Sequence, residues 1–412
     1  MRVAYRTLAY NPRVPPTSPA ASEGGQSPHP ERAGADRCPG ALRLIAAADG
    51  QLARVRLPGG LVTARQLRVL ARLAAELGDG RVELTSRGNV QLRALAADAV
   101  GRLTGELAAA GLLPSVDHDR VRNIIASPLA GVDGGTDLAP IVRALDAGLC
   151  ARRRLAQLPG RFLFAIDDGR GDVARLGADV VAVARAGGAT VNGLRAGDDG
   201  AAAVMLAFAE AFLDQRAALG STAWRIADLP GGPDQVRELV AGRQGLASAA
   251  GSPGPGPVPP PARPVGIVAR GSAVVLLAPL GRLTASQLGW LADRVRGRAA
   301  RVTPWRSVVL PDQADAAQVL DEAAGLGLGV DGSSPWLRVT ACAGKPGCAS
   351  ALADVQADAV SLAGRWPGRV VHVSGCGRHC GRPPATQVDV TAATEGYEVT
   401  EVDQGGVDDA RI

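Results

Sequence analysis

The stretch LPGGLVTARQLRVLARLAAELGDGRVELTSRGNVQL at residues 57–92 decides the fold, because its pattern returns at 278–310 as APLGRLTASQLGWLADRVRGRAARVTPWRSVVL. Thr-Ala-x-Gln-Leu occurs in both copies, at 63–67 and 284–288. Each copy predicts a strand, a threonine N-cap, an amphipathic helix and a further strand. In the first helix the apolar residues at three- and four-residue spacing are Leu67, Leu70, Ala71, Ala74 and Leu77. The sequence therefore predicts a duplicated α+β domain.

A second pair of similar segments follows the two copies. RNIIASPLAG (122–131) comes after the first and LRVTACAGKPGCAS (337–350) after the second. Both predict a buried strand that ends in a Gly/Pro loop, but only the second loop carries cysteines. A predicted helix and the strand RVVHVSG (369–375) then lead to SGCGRHCG (374–381). Duplication followed by loss of ligands in one copy explains this asymmetry.

Composition limits the class of protein. The 412 residues are 46% hydrophobic and 21% charged, which is typical of a globular chain with two or more domains. We find no signal peptide and no clean apolar run of about 18–20 residues, so we expect a soluble, cytoplasmic protein without a membrane partner. The net charge of +5 permits nucleic-acid binding, but 3% aromatic content and the absence of a basic stripe do not indicate it.

The predicted organisation has six parts. They are a disordered tail (1–36), a first ferredoxin-like half-domain (37–110), an α+β domain without cluster ligands (111–248), a Pro/Gly linker (249–264), a second half-domain (265–332) and a cluster-binding domain (333–412).

Four of the six cysteines are bunched as C-x5-C and C-x3-C, at Cys342, Cys348, Cys376 and Cys380. They can converge if two strand-end loops lie side by side, and their soft thiolates suit a [4Fe-4S] cluster or a structural zinc. Zinc ribbons usually use C-x2-C knuckles, so the wider spacing and Gly/Pro-rich loops favour iron–sulfur. Four unconnected thiols are the simpler alternative. Cys38 and Cys150 stand alone and are expected to be ordinary thiols.

With its duplicated half-domains, this cysteine pattern resembles the nitrite and sulfite reductase superfamily. The resemblance implies a pseudo-twofold α+β fold with an anion-lined cavity, and four cysteines that hold [4Fe-4S]. LTSRGNVQL (84–92) resembles the family's T-x-R-x-x-x-Q stretch through Thr85, Arg87 and Gln91. RNIIASP resembles its RN strand through Arg122 and Asn123.

One segment departs from the reductases. LPGRFLFAIDDGRGD (158–172) resembles the family segment whose two lysines, one residue apart, act on the bound oxyanion. This chain has Arg161 at the first position and Leu163 at the second. A leucine cannot donate a proton or stabilise an oxyanion. The departure argues against a sirohaem-dependent nitrite or sulfite reductase, which stays as the alternative.

The segments CPGALRLIAAADGQLARVRLPGG (38–60), VRNIIASPLAG and LPGRFLFAIDDGRGDV are similar to those of precorrin-3B synthases. That resemblance implies O2-dependent hydroxylation of precorrin-3A with γ-lactone formation, in aerobic cobalamin synthesis. It also implies a [4Fe-4S] cluster, a proposed mononuclear non-haem iron, and an electron donor such as NADH or a reductase/ferredoxin. Sirohaem is disfavoured as a cofactor.

The substrate of that reaction bears many carboxylates, which arginine pairs with bidentately. We expect Arg87 and Arg122 to bind them first, then Arg161 and, more weakly, Arg56; Thr85, Gln91 and Asn123 complete the predicted site. For each arginine, the alternative is a structural ion pair.

The sequence assigns no catalytic residue and no ligands to a non-haem iron. The histidines are His29, His118, His372 and His379, and none stands in a two-His-one-carboxylate pattern. His379 lies beside Cys380, as a candidate cluster neighbour or a spacer, and Lys345 lies inside the first cysteine loop. A non-enzymatic iron–sulfur or zinc protein is the third alternative.

Overall fold

The computed structural model describes residues 38–132, 134–185, 187–197, 200–248, 264–271 and 273–402. The predicted tail, all of the predicted linker except Pro264, and His29 lie outside the described residues.

In chain order, the strands of the described residues are β1 (Ile45–Ala47), β2 (Gly50–Val55), β3 (Leu61–Val62), β4 (Arg81–Leu84), β5 (Val90–Leu95), β6 (Ile124–Ala126), β7 (Phe164–Asp167), β8 (Val180–Arg185), β9 (Gly188–Val191), β10 (Leu194–Ala196), β11 (Gly266–Val268), β12 (Ala273–Leu277), β13 (Arg282–Thr284), β14 (Ala300–Val302), β15 (Ser307–Pro311), β16 (Val339–Ala341), β17 (Val371–Ser374), β18 (Val388–Ala393) and β19 (Gly396–Glu401). The α-helices are α1 (Ala64–Leu77), α2 (Val100–Ala109), α3 (Ala139–Ala151), α4 (Ala201–Ala218), α5 (Gly232–Gln244), α6 (Ala285–Arg294), α7 (Ala316–Gly325) and α8 (Val355–Leu362).

The two copies of the repeat build two five-stranded sheets that exchange a strand. The first sheet has the order β1-β2-β5-β4-β13 and the second has the order β11-β12-β15-β14-β3. The second copy thus lends β13 to the first sheet, with Leu283 opposite Val82. The first copy lends β3 to the second sheet, with Val62 opposite Ala300. Each half-domain therefore depends on the other to complete its sheet.

Helices α1 and α6 begin with the same capping box. The Thr63 hydroxyl accepts from the Gln66 N–H at 3.3 Å, and the Gln66 side chain accepts from the Thr63 N–H at 3.0 Å. Thr284 and Gln287 repeat both bonds at 3.2 and 2.8 Å. These bonds satisfy two otherwise orphaned N–H groups at each helix start. The predicted starts of both helices are confirmed.

The two half-domains share one hydrophobic core. Helices α1 and α6 pack against each other, and the predicted apolar face of α1 is buried, except that Leu77 is only partly buried at its edge. Leucines, valines and alanines of both copies join in a single buried cluster that spans residues 41–113 and 274–328. Burial of this shared surface is the main force that holds the copies together.

The remaining two sheets have matching topologies. We call β6–β10 the carboxylate sheet, after the aspartates at the end of β7 and in the loop that follows it, and β16–β19 the thiol sheet, after the cysteines in the loops that follow β16 and β17. In the carboxylate sheet, β6, β7 and β8 are parallel neighbours. Strand β9 pairs with β8, and β10 pairs with β9, both in antiparallel orientation. In the thiol sheet, β16, β17 and β18 are parallel neighbours, and β19 adds antiparallel. Each has its own core.

The predicted fold class, α+β with duplicated ferredoxin-like half-domains and two further α+β domains, is confirmed. The domain limits given from the sequence stay a prediction. No helix among the described residues is both long enough and apolar enough to cross a bilayer.

Candidate cluster site and arginine group

The four bunched cysteines lie in two loops that leave the same edge of the thiol sheet. Strand β16 ends immediately before Cys342, and β17 ends two residues before Cys376. The two strands are parallel neighbours, with Ala341 opposite Val373. Because the carboxyl ends of parallel neighbours meet at one edge of a sheet, the two loops adjoin.

The loops present N–H groups and positive charge to the sulfurs. The Gly375 N–H donates to Cys342 Sγ at 3.1 Å, and Arg378 Nη2 lies 3.6 Å from Cys348 Sγ. The Arg378 backbone N–H and then its guanidinium lower the pKa of the Cys376 thiol. The thiolate, which is the form that binds metal, is thereby favoured.

Glycine at position 375 is required by packing. A Cβ there would lie 2.7 Å from the Ala351 Cβ. Ala351 belongs to the segment that follows the first cysteine loop, and the Leu352 N–H donates to the Gly375 carbonyl at 2.8 Å. This close approach joins the two cysteine loops.

The spacing of the cysteine sulfurs does not match that of a tetrahedral zinc site. Among the described residues, no three of the cysteine sulfurs lie within 4.8 Å of one another. A tetrahedral zinc with bonds of about 2.3 Å needs sulfurs ~3.8 Å apart. Soft thiols that are approached by a backbone amide, as Cys342 is by Gly375, are donors that suit [4Fe-4S].

Arg93, which the sequence analysis missed, fastens the first cysteine loop to the first half-domain. Its Nη2 donates to the Gly347 carbonyl at 2.9 Å, and its Nε pairs with Asp49 at 3.1 Å. Both side chains are almost fully buried. Because Arg93 and Gly347 are 254 residues apart, no local sequence signal could have revealed this contact.

A second group of interest is formed by Arg54, Arg56, Arg87 and Arg225, here called the arginine group. Arg56 is 1% exposed, and its Nη2 donates to the carbonyls of Pro39 and Arg120, both at 3.2 Å. Its Nε and Nη1 have no partner among the described residues. Burial, and then the charge of Arg54, lower the pKa of Arg56 to about 9.

Arg87 is half-buried beside the same group. Its Nη1 donates to the Gly160 carbonyl at 3.3 Å, and it forms no ion pair with a described residue. Burial, and then the charge of Arg225, lower the pKa of Arg87 to about 10. Depressed arginine pKa values report desolvated cations that lack sufficient counter-charge. The arginine group therefore has the electrostatics of an anion site.

The other members of the group have side-chain partners within the protein. Arg225 pairs with Asp179 at 2.7 Å, and Arg54 Nε donates to the Gln91 side-chain oxygen at 3.0 Å, a neutral acceptor. Cys38 also interacts electrostatically with Arg54, Arg56 and Arg87. Cys38 thus lies in a cationic environment.

Two predicted site residues position others. The Thr85 hydroxyl accepts from the Asn89 N–H at 3.1 Å and shapes the turn that carries Arg87. The Gln91 amide accepts from Arg54 and donates to Glu83 at 3.1 Å. Both residues hold charged side chains in place.

Arg122 and Asn123 are bonded inside the protein, contrary to the expectation of substrate contacts. Arg122 is 3% exposed, with Nε and Nη2 each 2.7 Å from a carboxylate oxygen of Asp146. The Asn123 amide donates to the Gly160 carbonyl at 2.9 Å. The expected carboxylate partner of Arg122 is thus in the chain itself, 24 residues away, and we remove both residues from the candidate pocket.

Arg161 and Leu163 have different environments. Arg161 is exposed, and its guanidinium carbon lies 5.1 Å from the centre of the Trp224 ring. Leu163 is 4% exposed in a small apolar cluster with Ile125, Ala165 and Val173. The position at which the reductases have a second lysine is thus inside an apolar cluster here.

Each described histidine has an identifiable neighbour. Buried His118 contacts Ser115 Oγ at 2.7 Å and the Arg152 carbonyl at 3.0 Å, so it serves the fold. His372 Nδ1 lies 2.8 Å from the Thr340 hydroxyl, and His379 Nδ1 lies 2.8 Å from the Asp389 carboxylate.

The described residues do not fit a two-His-one-carboxylate iron site. The three-residue group with metal-ligand spacing found among them is Asp167, Asp168 and Asp172, which contains no histidine. Both Asp167 oxygens already accept backbone N–H bonds. We therefore assign no step to a mononuclear iron.

The fold and parts of the sequence are similar to those of known proteins. The model of the nitrite/sulfite reductase ferredoxin-like half domain matches residues 46–110. The chain contains such a half-domain. The NirA protein of Mycobacterium tuberculosis superposes with a TM-score of 0.68 over 86% of this chain and 72% of that one, at 22% identity. The fold is therefore that of NirA.

Two curated relatives differ in how much of the chain they match. A precorrin-3B synthase of Sinorhizobium is 29% identical over 389 residues, which cover 87% of this chain and 81% of that protein. A ferredoxin–nitrite reductase of Synechococcus elongatus is 36% identical over 128 residues, which cover 29% of this chain and 25% of that protein. The resemblances stated from the sequence are confirmed, and so is the prediction that the chain is an enzyme, an oxidoreductase.

Proposed function

We propose that the chain is a precorrin-3B synthase, which hydroxylates precorrin-3A with O2 and closes a γ-lactone. One atom of O2 enters the macrocycle, and the other leaves as water with two electrons and two protons from a donor. The observation that carries the proposal is a pair of arginines without an ion-pair partner among the described residues, buried Arg56 and half-buried Arg87, in a chain similar to such an enzyme over 87% of its length.

The arginine group would bind the substrate carboxylates. A carboxylate beside Arg87 would offset the mutual repulsion of Arg87 and Arg225 and the unmet donors of Arg56. A charge-assisted hydrogen bond formed in such a desolvated site contributes about 1.5–3 kcal/mol. Exposed Arg161, stacked on Trp224, would contact a carboxylate nearer to solvent.

Cys342, Cys348, Cys376 and Cys380 would hold a [4Fe-4S] cluster. When bound, such a cluster supplies electrons singly. Arg378, close to Cys348 and Cys376, would stabilise the negative charge of the thiolates, and Arg93 would keep the first loop in place. The donor would be a ferredoxin-type protein, a reductase or NADH.

A sirohaem-dependent nitrite or sulfite reductase is the second candidate, favoured by the match to the nitrite reductase of S. elongatus. That match covers 29% of the chain. The apolar surroundings of Leu163 leave that position without a cation for an oxyanion.

The test is a single-turnover reaction of the purified holoprotein with precorrin-3A, dithionite-reduced donor and 18O2, analysed by mass spectrometry. The proposal expects a product with one added 18O atom. Recovery of unchanged precorrin-3A together with steady reduction of nitrite or sulfite would reject it in favour of the reductase.

A further inference from the structure

The turn that carries Arg87 has a counterpart in the second copy. In the first copy the Thr85 N–H donates to the Asn89 carbonyl at 2.9 Å, and the Asn89 N–H returns to the Thr85 hydroxyl at 3.1 Å. Thr303 and Ser307 make the same two bonds at 2.9 and 3.3 Å. The two turns are therefore equivalent, residue for residue.

They differ at the residue with left-handed backbone. In the first turn this residue is Gly88, at φ +64°, and in the second it is Arg306, at φ +61°. Glycine adopts this conformation without steric cost, whereas a side chain strains the backbone. A strained residue that glycine could replace points to a use for its side chain.

The Arg306 side chain is held in place but lacks a partner. It runs over Gly281, where a Cβ would lie 2.6 Å from the Arg306 Cδ. Its guanidinium forms no hydrogen bond or ion pair with a described residue. Burial lowers the pKa of Arg306, and Glu83 is the carboxylate that opposes this shift.

Glu83 is itself engaged elsewhere. It accepts from Gln91 at 3.1 Å and lies 3.9 Å from Arg93 and 3.7 Å from Arg282. Its charge also acts on Arg54, a member of the arginine group. The charge of Glu83 thus acts on Arg54 of the first copy and on Arg306 of the second.

The Arg306 side chain also lies close to the thiol sheet. It packs on Gly281, and the preceding residue, Leu280, packs against the hydrophobic core of the thiol sheet. The residue after Gly281 is Arg282, which begins β13 and lies opposite Glu83 of β4. Arg306 is therefore next to the segment that contacts both the first sheet and the thiol sheet, and a substrate that extends from the arginine group toward the cysteines would pass this segment.

We propose that Arg306 binds a carboxylate of the macrocyclic substrate, as the contribution of the second copy to the site that Arg87 lines from the first. This inference rests on the proposed function for the identity of the substrate. It explains why the second copy keeps an arginine where the first has glycine.

The test compares Arg306→Gly with Ala94→Gly. Ala94 also has a left-handed backbone, at φ +54°, but carries no charge. Both variants relieve backbone strain, so neither should melt below wild type. Arg306→Gly alone should weaken binding of precorrin-3A, and of uroporphyrin III as a stable octacarboxylate probe, by roughly tenfold or more.

The outcomes separate this inference from the proposed function. If wild type converts precorrin-3A and Arg306→Gly binds it as tightly, the inference falls while the function stands. If wild type does not convert precorrin-3A, the proposed function is wrong. Uroporphyrin III binding then still tests Arg306, because weaker binding by Arg306→Gly than by wild type supports the inference. Equal binding of uroporphyrin III by wild type and Arg306→Gly, or no binding by wild type, overturns the inference about Arg306.

Discussion

The thiol sheet and the carboxylate sheet send equivalent loops from equivalent strands, and they differ in what those loops do with their polar side chains. Asp167 ends β7, and both of its carboxylate oxygens accept hydrogen bonds from the loop that follows. One oxygen accepts from the N–H groups of Gly169 and Gly171 at 2.8 and 2.9 Å, and the other accepts from those of Val173 and Ala174 at 3.1 and 3.0 Å. After β16 and β17, the cysteine sulfurs accept few bonds, such as that from Gly375 to Cys342.

This difference shows how one topology supports two chemistries. The loop after β7 is organised by its own residue Asp167, because this buried carboxylate accepts hydrogen bonds from the N–H groups of the loop's turns. The cysteine loops are organised by the packing of Gly375 between them and by Arg93 of the first half-domain. Their donors remain available to a metal cluster.

The two half-domains support these two sheets in the same way, through reciprocal arginines. Arg93 of the first half-domain donates to the Gly347 carbonyl in the cysteine loop. Arg301 of the second donates to the carbonyls of Pro128 and Ala130, in the loop after β6, at 2.6 and 2.7 Å. Each half-domain therefore supports the loop of the sheet that follows the other.

The largest expected effect is loss of the cluster on substitution of a thiol. Cys380→Ser should remove all acid-labile sulfide and most iron, because serine is a poor, hard ligand for iron–sulfur. Cys150→Ser, in which a partly buried thiol outside both loops is changed, is the matched control and should retain both. Full sulfide in the Cys380 variant would refute its assignment as a ligand.

Next in size is the effect of the reciprocal arginines. Arg93→Met leaves Asp49 buried and unpaired, so the free energy of unfolding should fall by about 3–5 kcal/mol, with lower iron content. Arg301→Met removes bonds to two carbonyls and should cost about 1–3 kcal/mol without loss of iron. Urea denaturation and iron analysis measure both quantities. Equal iron loss in Arg93→Met and Arg301→Met would contradict the assignment of Arg93 alone to the support of the cysteine loop.

Removal of Arg87 should affect binding more than stability. Arg87→Ala deletes a cation without an ion-pair partner, so precorrin-3A should bind more weakly by about 1.5–3 kcal/mol. Arg68→Ala, which breaks the exposed pair with Asp293, should change neither binding nor stability by more than about 1 kcal/mol. Titration calorimetry measures the affinity of both variants for precorrin-3A. Unchanged affinity in Arg87→Ala would exclude Arg87 from the pocket.

The smallest effect concerns the loop after β7 and depends on pH. Burial, opposed by the Ser127 hydrogen bond and reinforced by Asp167 and Asp168, raises the pKa of Asp172 to about 6. The folded protein therefore binds this proton more tightly than the unfolded chain, and the associated stability is present below pH ~4 and is lost as pH rises through about 6.

Asp172→Asn should accordingly stabilise the protein by roughly 1–3 kcal/mol at pH 7.5 and by little at pH 4. Chemical denaturation at the two pH values provides the measurement. A variant that is destabilised at pH 7.5 would mean that the ionised carboxylate has a stabilising partner in solution.

Features with local signals could be predicted from the sequence. Thr63 and Gln66, repeated as Thr284 and Gln287, form capping boxes whose bonds span three residues, so sequence spacing was sufficient. The duplication itself was visible for the same reason. Strand exchange was not, because the pairing of β3 with β14 joins residues more than 200 positions apart.

The arginines illustrate the limit at the site. Arg87 and Arg122 both match sequence motifs of the reductase superfamily. In the structure, Arg122 pairs with Asp146, whereas Arg87 has no ion-pair partner among the described residues. Which arginine is neutralised depends on side chains brought near by folding. Arg54, Arg93 and Arg225 were missed for that reason, and the unmet donors of Arg56 follow only from packing.

The most direct test of the account is the absorption spectrum of anaerobically purified protein, taken with iron and sulfide analysis. We expect a broad brown [4Fe-4S] absorption, about four iron and four sulfide per chain, and no sirohaem bands. Intense Soret and red bands of sirohaem, or a colourless protein that contains zinc, would contradict it.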